Sequence, residues 1–358
     1  MEIEEIFARR LRSARIMLGW SMDMLCEKMG NLISKQSISK YENGKMMPDS
    51  TVLIAMANAL GVDPDYFFRP FLFNMDEFKV SFRKKSKVQV YETNAIKEKI
   101  RDKVERYLEI ENILGVKNEF RFNAYTNAIL SSPQDIKAQA LRVRDDWGLG
   151  LDAINNVQAI LEQHSIKVID VEAPDGFDGL SGVVNNKYPI IVLNANIHQS
   201  ERRRMTALHE LGHLLFNKCF DPVLTRKQRE DLCTIFANEM LIPSTNFIQA
   251  IGENRRDISL NELIDLQVLY GVSVDAMMMK AKELNIITES RCRSYYIKKN
   301  ANPNFKALVE MPRYEEKKPE RFLTLVFKAV ASDIISTSKA ATLLNSSIDD
   351  VRNRINLV

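Results

Sequence analysis

The sequence predicts a mostly α-helical chain of α+β class: a helical N-terminal domain, a middle domain with a small sheet, and a helical C-terminal tail. Two observations lead to this prediction. Apolar residues recur at helical spacing over most of the chain, whereas strand-like runs are confined to residues 166–194. At 358 residues the chain is also longer than one ordinary hydrophobic core, which indicates two or three domains.

The composition is that of a globular protein, with 45% hydrophobic and 27% charged residues. Fifty basic residues against 47 acidic ones give a net charge of +3, too small an excess to indicate nucleic acid by itself. The four cysteines lack a C-x-x-C spacing and are expected to be reduced thiols. No apolar stretch is long enough to cross a bilayer and the N-terminus lacks a signal-peptide layout, so we expect a cytoplasmic protein without membrane contact.

The first seventy residues predict five short helical elements separated by glycines. Ser21 is a candidate N-cap for the second element, and Gly44 and Gly61 are stop signals for the third and fourth. The predicted elements are a helix ending at Gly19, helices at 22–29, 34–44 and 51–60, and a last turn from Asp63-Pro64.

This layout resembles the helix-turn-helix of the XRE family, of the lambda-repressor/Cro type. The matching residues are Leu11-Arg12 to Arg15, Leu25 to Met29, Ile38 to Gly44, Pro48 and Ala55 to Val62. The resemblance implies that double-stranded operator DNA is a partner and that residues 34–44 form the recognition helix, which lies in the major groove. Proteins of this kind usually read paired half-sites as dimers, so a homodimer is possible, and the sequence leaves the oligomeric state open.

Four side chains of the recognition helix are predicted to face base edges: Lys35, Gln36, Ser37 and Lys40. Lys45 and Arg12 are candidate phosphate contacts. Residues 1–70 carry nine basic and nine acidic side chains, so any affinity for DNA has to come from charge on one face or from dimerisation. The alternative is a helical bundle that binds protein.

Residues 71–130 are predicted to form a connector. It contains the basic run Arg83-Lys84-Lys85-Ser86-Lys87, which either adds phosphate contacts or is solvated surface. A charged helix follows at residues 94–114, with a stripe of Ile96, Ile100, Val104 and Leu108. Such a stripe supports a neighbouring core or forms a dimer contact.

The most informative motif is His209-Glu210-Leu211-Gly212-His213, which lies inside an apolar run. A helix places positions i and i+4 on one face, so both imidazoles can bind one metal ion. Glu210 lies where its carboxylate can accept a proton from the attacking water. This is the H-E-x-x-H pattern of zinc hydrolases. The alternative is an amphipathic core helix with two hydrogen-bonded histidines, but two of the chain's four histidines fall here, and we favour zinc.

Three strands are predicted ahead of this helix, at residues 166–171, 177–184 and 188–194. The last of them is either an edge strand onto which an extended peptide substrate adds, or an ordinary buried core strand. Helical stretches at 136–147 and 149–164 precede the strands.

The strands and the motif helix together resemble the ImmA/IrrE family of metallopeptidases. The matching residues are Phe177 to Gly182, Pro189 to Asn194, His209 to His213, Glu230, Cys233, Phe236-Ala237 and Leu241-Ile242-Pro243. Fusion of a helix-turn-helix ahead of the peptidase domain is recurrent in that family. We therefore expect domains at 1–70 and 131–288, joined by the connector and followed by a C-terminal segment at 289–358.

The resemblance implies that Glu230 is the third zinc ligand beside His209 and His213, with Asp231 as the neighbouring alternative. Glu210 is then the catalytic general base of an endopeptidase whose substrate is a repressor or another regulatory protein. Members of the family usually carry Asn or Asp where this chain has Thr234, and a hydroxyl is a weaker hydrogen-bond partner for a metal ligand.

The oxyanion of such a reaction needs a hydrogen-bond donor. His198, Tyr188 and Tyr270 are candidates, and the sequence does not select among them.

The end of the chain is predicted to be helical. Residues 257–286 give two helices with Met277-Met278-Met279 as core or interface filler, of which core is the default, followed by a basic stretch at 291–299 and a loop at 300–304. A helix begins near Pro319, and residues 335–344 and 347–355 resemble a second small helix-turn-helix unit. That unit either packs on the peptidase domain or binds DNA, and we favour packing.

Two functions are compatible with these observations. The chain is either a DNA-binding regulator with an active zinc peptidase domain, or a repressor or antitoxin whose peptidase-like domain is a non-catalytic sensor or dimerisation module. The intact set of His209, Glu210 and His213 favours the peptidase, since a structural zinc would not need Glu210. Thr234 and the unassigned oxyanion donor keep the alternative open.

Overall fold

The computed structural model describes residues 2–73, 89–117, 120, 125, 129–317 and 320–355. The basic run at 83–87 lies outside these residues. The described part is mostly helical with one three-stranded sheet, in agreement with the predicted fold class. No helix in it is long and apolar enough to cross a membrane.

The N-terminal unit is a helical bundle around Phe7, Leu11, Leu25, Ile38 and Phe67. Its elements are α1 (Ile3–Met17), α2 (Met22–Lys28), α3 (Lys35–Glu42), α4 (Ser50–Leu60) and a 3-10 turn (Pro64–Phe68). Side chains cap three of the helices, because Ser21, Ser34 and Asp49 each accept a backbone N–H of the first turn. The fifth element is a single 3-10 turn rather than an α-helix.

A long helix, α5 (Val90–Ile113), joins this unit to the rest of the molecule. The predicted stripe of Ile96, Ile100, Val104 and Leu108 is buried and packs against the sheet. The same helix holds the N-terminal unit, because Glu105 pairs at 2.7 Å with the fully buried Arg10 of α1. The stripe therefore supports a core, as one of the two sequence interpretations had it.

The sheet contains β1 (Lys167–Val171), β2 (Gly179–Val184) and β3 (Tyr188–Asn194) in the order β1-β3-β2. β1 runs parallel to β3 and β2 runs antiparallel to it. The interpretation of β3 as an edge strand is wrong: β3 is the central strand, hydrogen-bonded on both sides and almost fully buried. The edge strands are β1 and β2.

Helices cover both faces of the sheet, and side chains alternate between them. In β3, Ile191 and Leu193 face the larger core and Ile190 and Val192 face α5. The helices of the larger core include α6 (Pro133–Asp146), α7 (Val157–Gln163), α8 (Ser200–Phe216), α9 (Arg226–Leu241), α10 (Ser244–Ile251), α11 (Leu260–Tyr270) and α12 (Val274–Glu283). The predicted helical stretch at 149–164 is helical only over α7. Met277 and Met278 are buried, while Met279 is 43% exposed.

Five more helices follow: α13 (Glu289–Ala301), α14 (Pro303–Glu310), α15 (Arg321–Ala331), α16 (Thr337–Leu344) and α17 (Ile348–Arg354). The predicted loop at 300–304 is wrong, because helix continues to Ala301 and resumes at Pro303, with only Asn302 between them. The last three helices pack on the end of α5 around Ile110. The small C-terminal unit therefore packs within the protein, but on the connector helix.

Candidate metal centre and nucleic-acid surface

Two packed helices carry the candidate metal ligands. α8 places His209 and His213 one turn apart on one face, and the first turns of α9 bring Glu230 opposite them. The helices approach closely at Gly212, where a Cβ atom would lie 3.2 Å from Phe236 Cδ1 and 3.3 Å from Cys233 Sγ. A larger residue at this position would push α9, and with it Glu230, away from the histidines.

The three ligand atoms form a compact triangle. Nε2 of His209 lies 3.1 Å from Nε2 of His213 and 3.3 Å from Oε2 of Glu230, and the third side, from His213 to Glu230, is 3.5 Å. Atoms bound at about 2.1 Å to one tetrahedral zinc ion lie about 3.4 Å apart. Two imidazoles and a carboxylate are also a donor set of catalytic zinc sites. These residues fit a zinc ion, whereas Asp231 is exposed and stands outside the cluster.

Thr234 orients the first histidine. Its Oγ1 donates a hydrogen bond to the carbonyl oxygen of Glu230 at 3.0 Å and lies 3.2 Å from Nδ1 of His209. A hydroxyl has a single proton, so its oxygen accepts from Nδ1–H of His209. That tautomer leaves Nε2 of His209 with a lone pair facing the other two ligands. The hydroxyl of Thr234 is thus the hydrogen-bond partner of a candidate ligand histidine.

Cys233 contacts Nδ1 of His213, as Thr234 contacts Nδ1 of His209. Its Sγ lies 3.5 Å from Nδ1 of His213, and the residue is fully buried between α8 and α9. All four cysteines are free and buried, as expected for reduced thiols.

The candidate general base is buried and held from the sheet. Glu210 is 4% exposed, and Ser181 Oγ of β2 donates a hydrogen bond to its Oε2 at 2.9 Å. Glu210 and His209 line the same cleft of about 580 Å³. The arrangement brings a carboxylate acceptor and one residue of the three-atom cluster, His209, to one cavity.

A loop between β1 and β2 forms one wall of this cleft through Gly176, Phe177 and Asp178. The buried Asn194 at the end of β3 holds the loop, because its Nδ2 donates to Phe177 O at 2.8 Å and to Ala173 O at 3.1 Å. Asn194, the last residue of the Pro189–Asn194 motif, therefore fixes the position of this cleft wall.

The opposite wall includes Val309, Glu310 and Pro312, from far along the chain. The chain beyond this wall is pinned to α8, where the buried Glu201 accepts from the backbone N–H of Arg313 at 2.9 Å and of Tyr314 at 3.2 Å. Sequence reasoning missed this wall. The only local signal is a charged run at the start of α8, which is indistinguishable from a solvated surface.

Arg204 is a second anchor for the same segment. It is fully buried, forms an ion pair with Glu316 and donates to the hydroxyl of Tyr314 at 3.0 Å. Gly271 makes room for this contact, since a Cβ there would lie 2.8 Å from both Arg204 Nε and Tyr314 Cδ1. The C-terminal wall is thus built into the core of the middle unit.

The structure selects none of the three oxyanion candidates. Among the described residues that line the cleft, His198, Tyr188 and Tyr270 do not occur. His198 is exposed, the Tyr188 ring packs near Lys167 and Lys187, and the Tyr270 hydroxyl contacts Asn246.

The predicted recognition helix is α3, with Ser34 as its N-cap. Lys35, Gln36 and Lys40 are exposed and Ser37 is half-buried, while Lys45 and Arg12 are also exposed. Lys35 forms a 2.6 Å ion pair with Asp23, but both side chains are about 60% exposed, and such a pair is weak and easily exchanged for a phosphate or a base.

The inner face of α3 is locked to α1. Arg15 donates from Nε and a terminal nitrogen to the two carboxylate oxygens of Glu42, at 2.6 Å and 2.7 Å. Glu42 is buried, and this two-point contact fixes the rotation of α3 about its axis. In the sequence Glu42 belongs to a polar helix, so its burial could not be foreseen.

Comparison with known proteins matches the N-terminal and middle parts of the chain to two different families. Residues 11–67 match the helix-turn-helix family, and residues 161–282 match the IrrE N-terminal-like domain family. A relative is the SPbeta prophage-derived uncharacterized HTH-type transcriptional regulator YonR of Bacillus subtilis (strain 168), 34% identical over 64 residues. Those residues are 18% of this chain and 57% of that protein, so the chain spans little more than half of this relative. The chain thus joins an XRE-type helix-turn-helix domain to an IrrE-like domain.

Proposed function

We propose that this protein is a DNA-binding transcriptional regulator whose IrrE-like domain is a zinc-dependent endopeptidase acting on a repressor or another regulatory protein. One observation carries the proposal. The ligand atoms of His209, His213 and Glu230 lie within 4.8 Å of one another, beside the cleft into which Ser181 directs the buried carboxylate of Glu210. The proposed domain limits are 1–70, 71–130, 131–288 and 289–358.

Each residue of the centre has a defined task. His209 and His213 offer Nε2 lone pairs and Glu230 offers Oε2 as ligands. Zinc bound there supplies Lewis-acid polarisation of the scissile carbonyl and of the attacking water. Glu210 accepts the proton of that water and delivers it to the leaving amine. Thr234 keeps His209 in the tautomer that binds a metal.

The substrate segment is expected to be extended. β2 is an edge strand of the described sheet, and its Ser181 contacts the general base. An unstructured loop or linker can add to such an edge as a further strand, with its scissile bond beside Glu210. The centre therefore suits cleavage within a flexible region of a protein.

The N-terminal domain delivers the enzyme to DNA. In the proposed complex, Lys35, Gln36, Ser37 and Lys40 face base edges, while Arg12 and Lys45 contact phosphates. Two copies of the chain would read the two halves of an operator.

The decisive experiment compares the full chain with Glu210→Gln in cells, with the exposed Glu253→Gln as the matched control. New protein N-termini are identified by mass spectrometry. We expect the same small set of cleavage sites with the unaltered chain and Glu253→Gln, and none with Glu210→Gln, whose zinc content is unchanged. Cleavage that persists in Glu210→Gln contradicts the mechanism.

A second candidate function is a repressor or antitoxin whose IrrE-like domain senses zinc or dimerises without catalysis. The observation that favours it is the position of His198, Tyr188 and Tyr270, none of which lines the cleft that the described residues form. In that case no new N-termini appear with any variant, and removal of zinc changes DNA binding instead.

A further inference from the structure

A second cavity, of about 440 Å³, lies where α5, α7, β1, α15 and α16 meet. We call it the junction pocket, and its chemically informative residues are Lys103, Arg106, Tyr107, Glu162, Arg321 and Phe322. β1 borders it and β2 borders the metal centre, so the two sites lie at opposite edges of the sheet. Its size is within the range of small-molecule sites.

The pocket contains a carboxylate that lacks strong donors. Glu162 is 5% exposed, and among the described residues its hydrogen bond comes from Gln158 Nε2 at 3.4 Å. Arg321 lines the same pocket but donates to Tyr107 Oη at 2.8 Å and to Glu111 Oε1 at 2.7 Å. A buried carboxylate without matching donors costs free energy, so the pocket offers an acceptor for N–H groups of a ligand.

The rest of the pocket carries both charges and an aromatic side chain. Lys103 and Arg106 come from α5, and Lys103 Nζ donates to Asp170 O at 2.7 Å. Asp170 and Glu320 also line the pocket, and Arg106 is paired with Asp102 at 2.6 Å, so the lining is close to charge-balanced. Lys103 is the cation best placed to receive an anionic group of a ligand. The ring of Phe322 is half-buried and packs against the buried ring of Tyr107, 5.4 Å away and at an angle of 32°, so Phe322 is the aromatic side chain that a flat body could contact.

We propose that the junction pocket binds a small molecule with a planar body, whose N–H groups contact Glu162 and whose anionic group lies near Lys103. Two sources share this chemistry. A guanine nucleotide presents two parallel N–H groups and a phosphate, and an aromatic amino acid presents an ammonium and a carboxylate.

Such a ligand would act on the connection to the DNA-binding domain. Asp102 of α5 pairs with Arg106 at 2.6 Å and with Arg69 at 2.8 Å, and Arg69 follows the last turn of the N-terminal unit. One turn of α5, from Asp102 to Arg106, therefore carries both a residue that lines the pocket and the ion pair with the N-terminal unit. This effect rests on the proposed DNA-binding function: a ligand that shifts this contact would change operator affinity, and operator DNA would change ligand affinity by the same factor.

The test is calorimetric titration of the full chain with guanosine monophosphate, with L-phenylalanine and with inorganic phosphate. We expect one of the first two to bind at millimolar or lower concentration, which identifies the source. Glu162→Gln should weaken that binding at least about tenfold, whereas the exposed Glu172→Gln should leave it unchanged. Thermal melts of both variants verify folding.

Three results would overturn the proposal: neither organic probe binds, inorganic phosphate binds as tightly as the better of them, or Glu162→Gln binds as the unaltered chain does. None of these outcomes bears on the peptidase, because Glu162 and the metal centre lie at opposite edges of the sheet.

Discussion

Ser181 on β2 donates a 2.9 Å hydrogen bond to the Oε2 atom of Glu210 on α8. The contact joins an edge strand of the sheet to the carboxylate that follows His209, the first candidate metal ligand. Because Glu210 is 4% exposed, this hydrogen bond limits the orientations that its carboxylate can adopt. The edge strand on which an extended substrate would lie thus also positions the proposed base.

Replacement of this serine should slow the reaction without loss of metal. In Ser181→Ala, Glu210 loses one hydrogen bond, and we expect a rate of proteolysis about tenfold lower. Cleavage of the substrate identified through its new N-termini is the measurement, with zinc content determined on the same samples. An equal rate in Ser181→Ala would show that the contact does not position the base.

Thr234 should tune metal affinity rather than fold. Thr234→Val removes the oxygen that accepts from His209 Nδ1, and loss of such a partner of a ligand typically weakens metal binding about tenfold to a hundredfold. Competition with a chromophoric zinc chelator measures the change. The exposed Thr245→Val is the control and should bind zinc as the unaltered chain does. Equal affinities for both variants would refute the assigned tautomer.

Loss of base contacts should abolish operator recognition. The double variant Lys35→Ala with Gln36→Ala is expected to lose its footprint on the promoter of its own gene, because each good base contact contributes about 1–3 kcal/mol. Lys28→Ala, an exposed lysine of α2, serves as the control and should keep the footprint. A footprint that survives the double variant would mean that the start of α3 does not face the bases.

Glu162 should make stability depend on pH. Burial raises its pKa from 4.5 to about 7, so the native state holds the proton more tightly than the unfolded chain. The stabilisation is complete below pH 4.5 and is lost as pH rises to about 7, a change of about 3 kcal/mol. Relative to Glu162→Gln, the unaltered chain should lose that amount of unfolding free energy across this window in denaturant titrations. Parallel pH curves for the two proteins would contradict the assignment.

The sequence predicted those parts of the site that are encoded locally. The spacing of His209 and His213 on one helix is set by helical geometry, so their common face could be foreseen. Glu230 lies in another helix, and only the family resemblance indicated it. The hydrogen bond from Ser181 depends on how β2 packs on α8, and no spacing in the sequence reports that.

The wrong predictions about β3 and about residues 300–304, and the missed cleft wall, also have physical reasons. Strand order is a property of the folded sheet, so the hydrophobic run of β3 did not distinguish an edge strand from a central one. At residues 300–304, asparagines and a proline suggested a loop, but proline is well tolerated in the first turn of a helix, and Pro303 begins α14. The cleft wall at Val309–Pro312 depends on contacts with residues more than a hundred positions away.

The most direct test of the central claim is the zinc content of the purified full chain beside Glu230→Ala and Asp231→Ala, measured by elemental mass spectrometry. The two variants remove neighbouring carboxylates of α9, of which only Glu230 belongs to the cluster. The account predicts one zinc per chain in the unaltered protein and in Asp231→Ala, and little or none in Glu230→Ala. No zinc in the unaltered chain after supply of metal, or full zinc in Glu230→Ala, would contradict it.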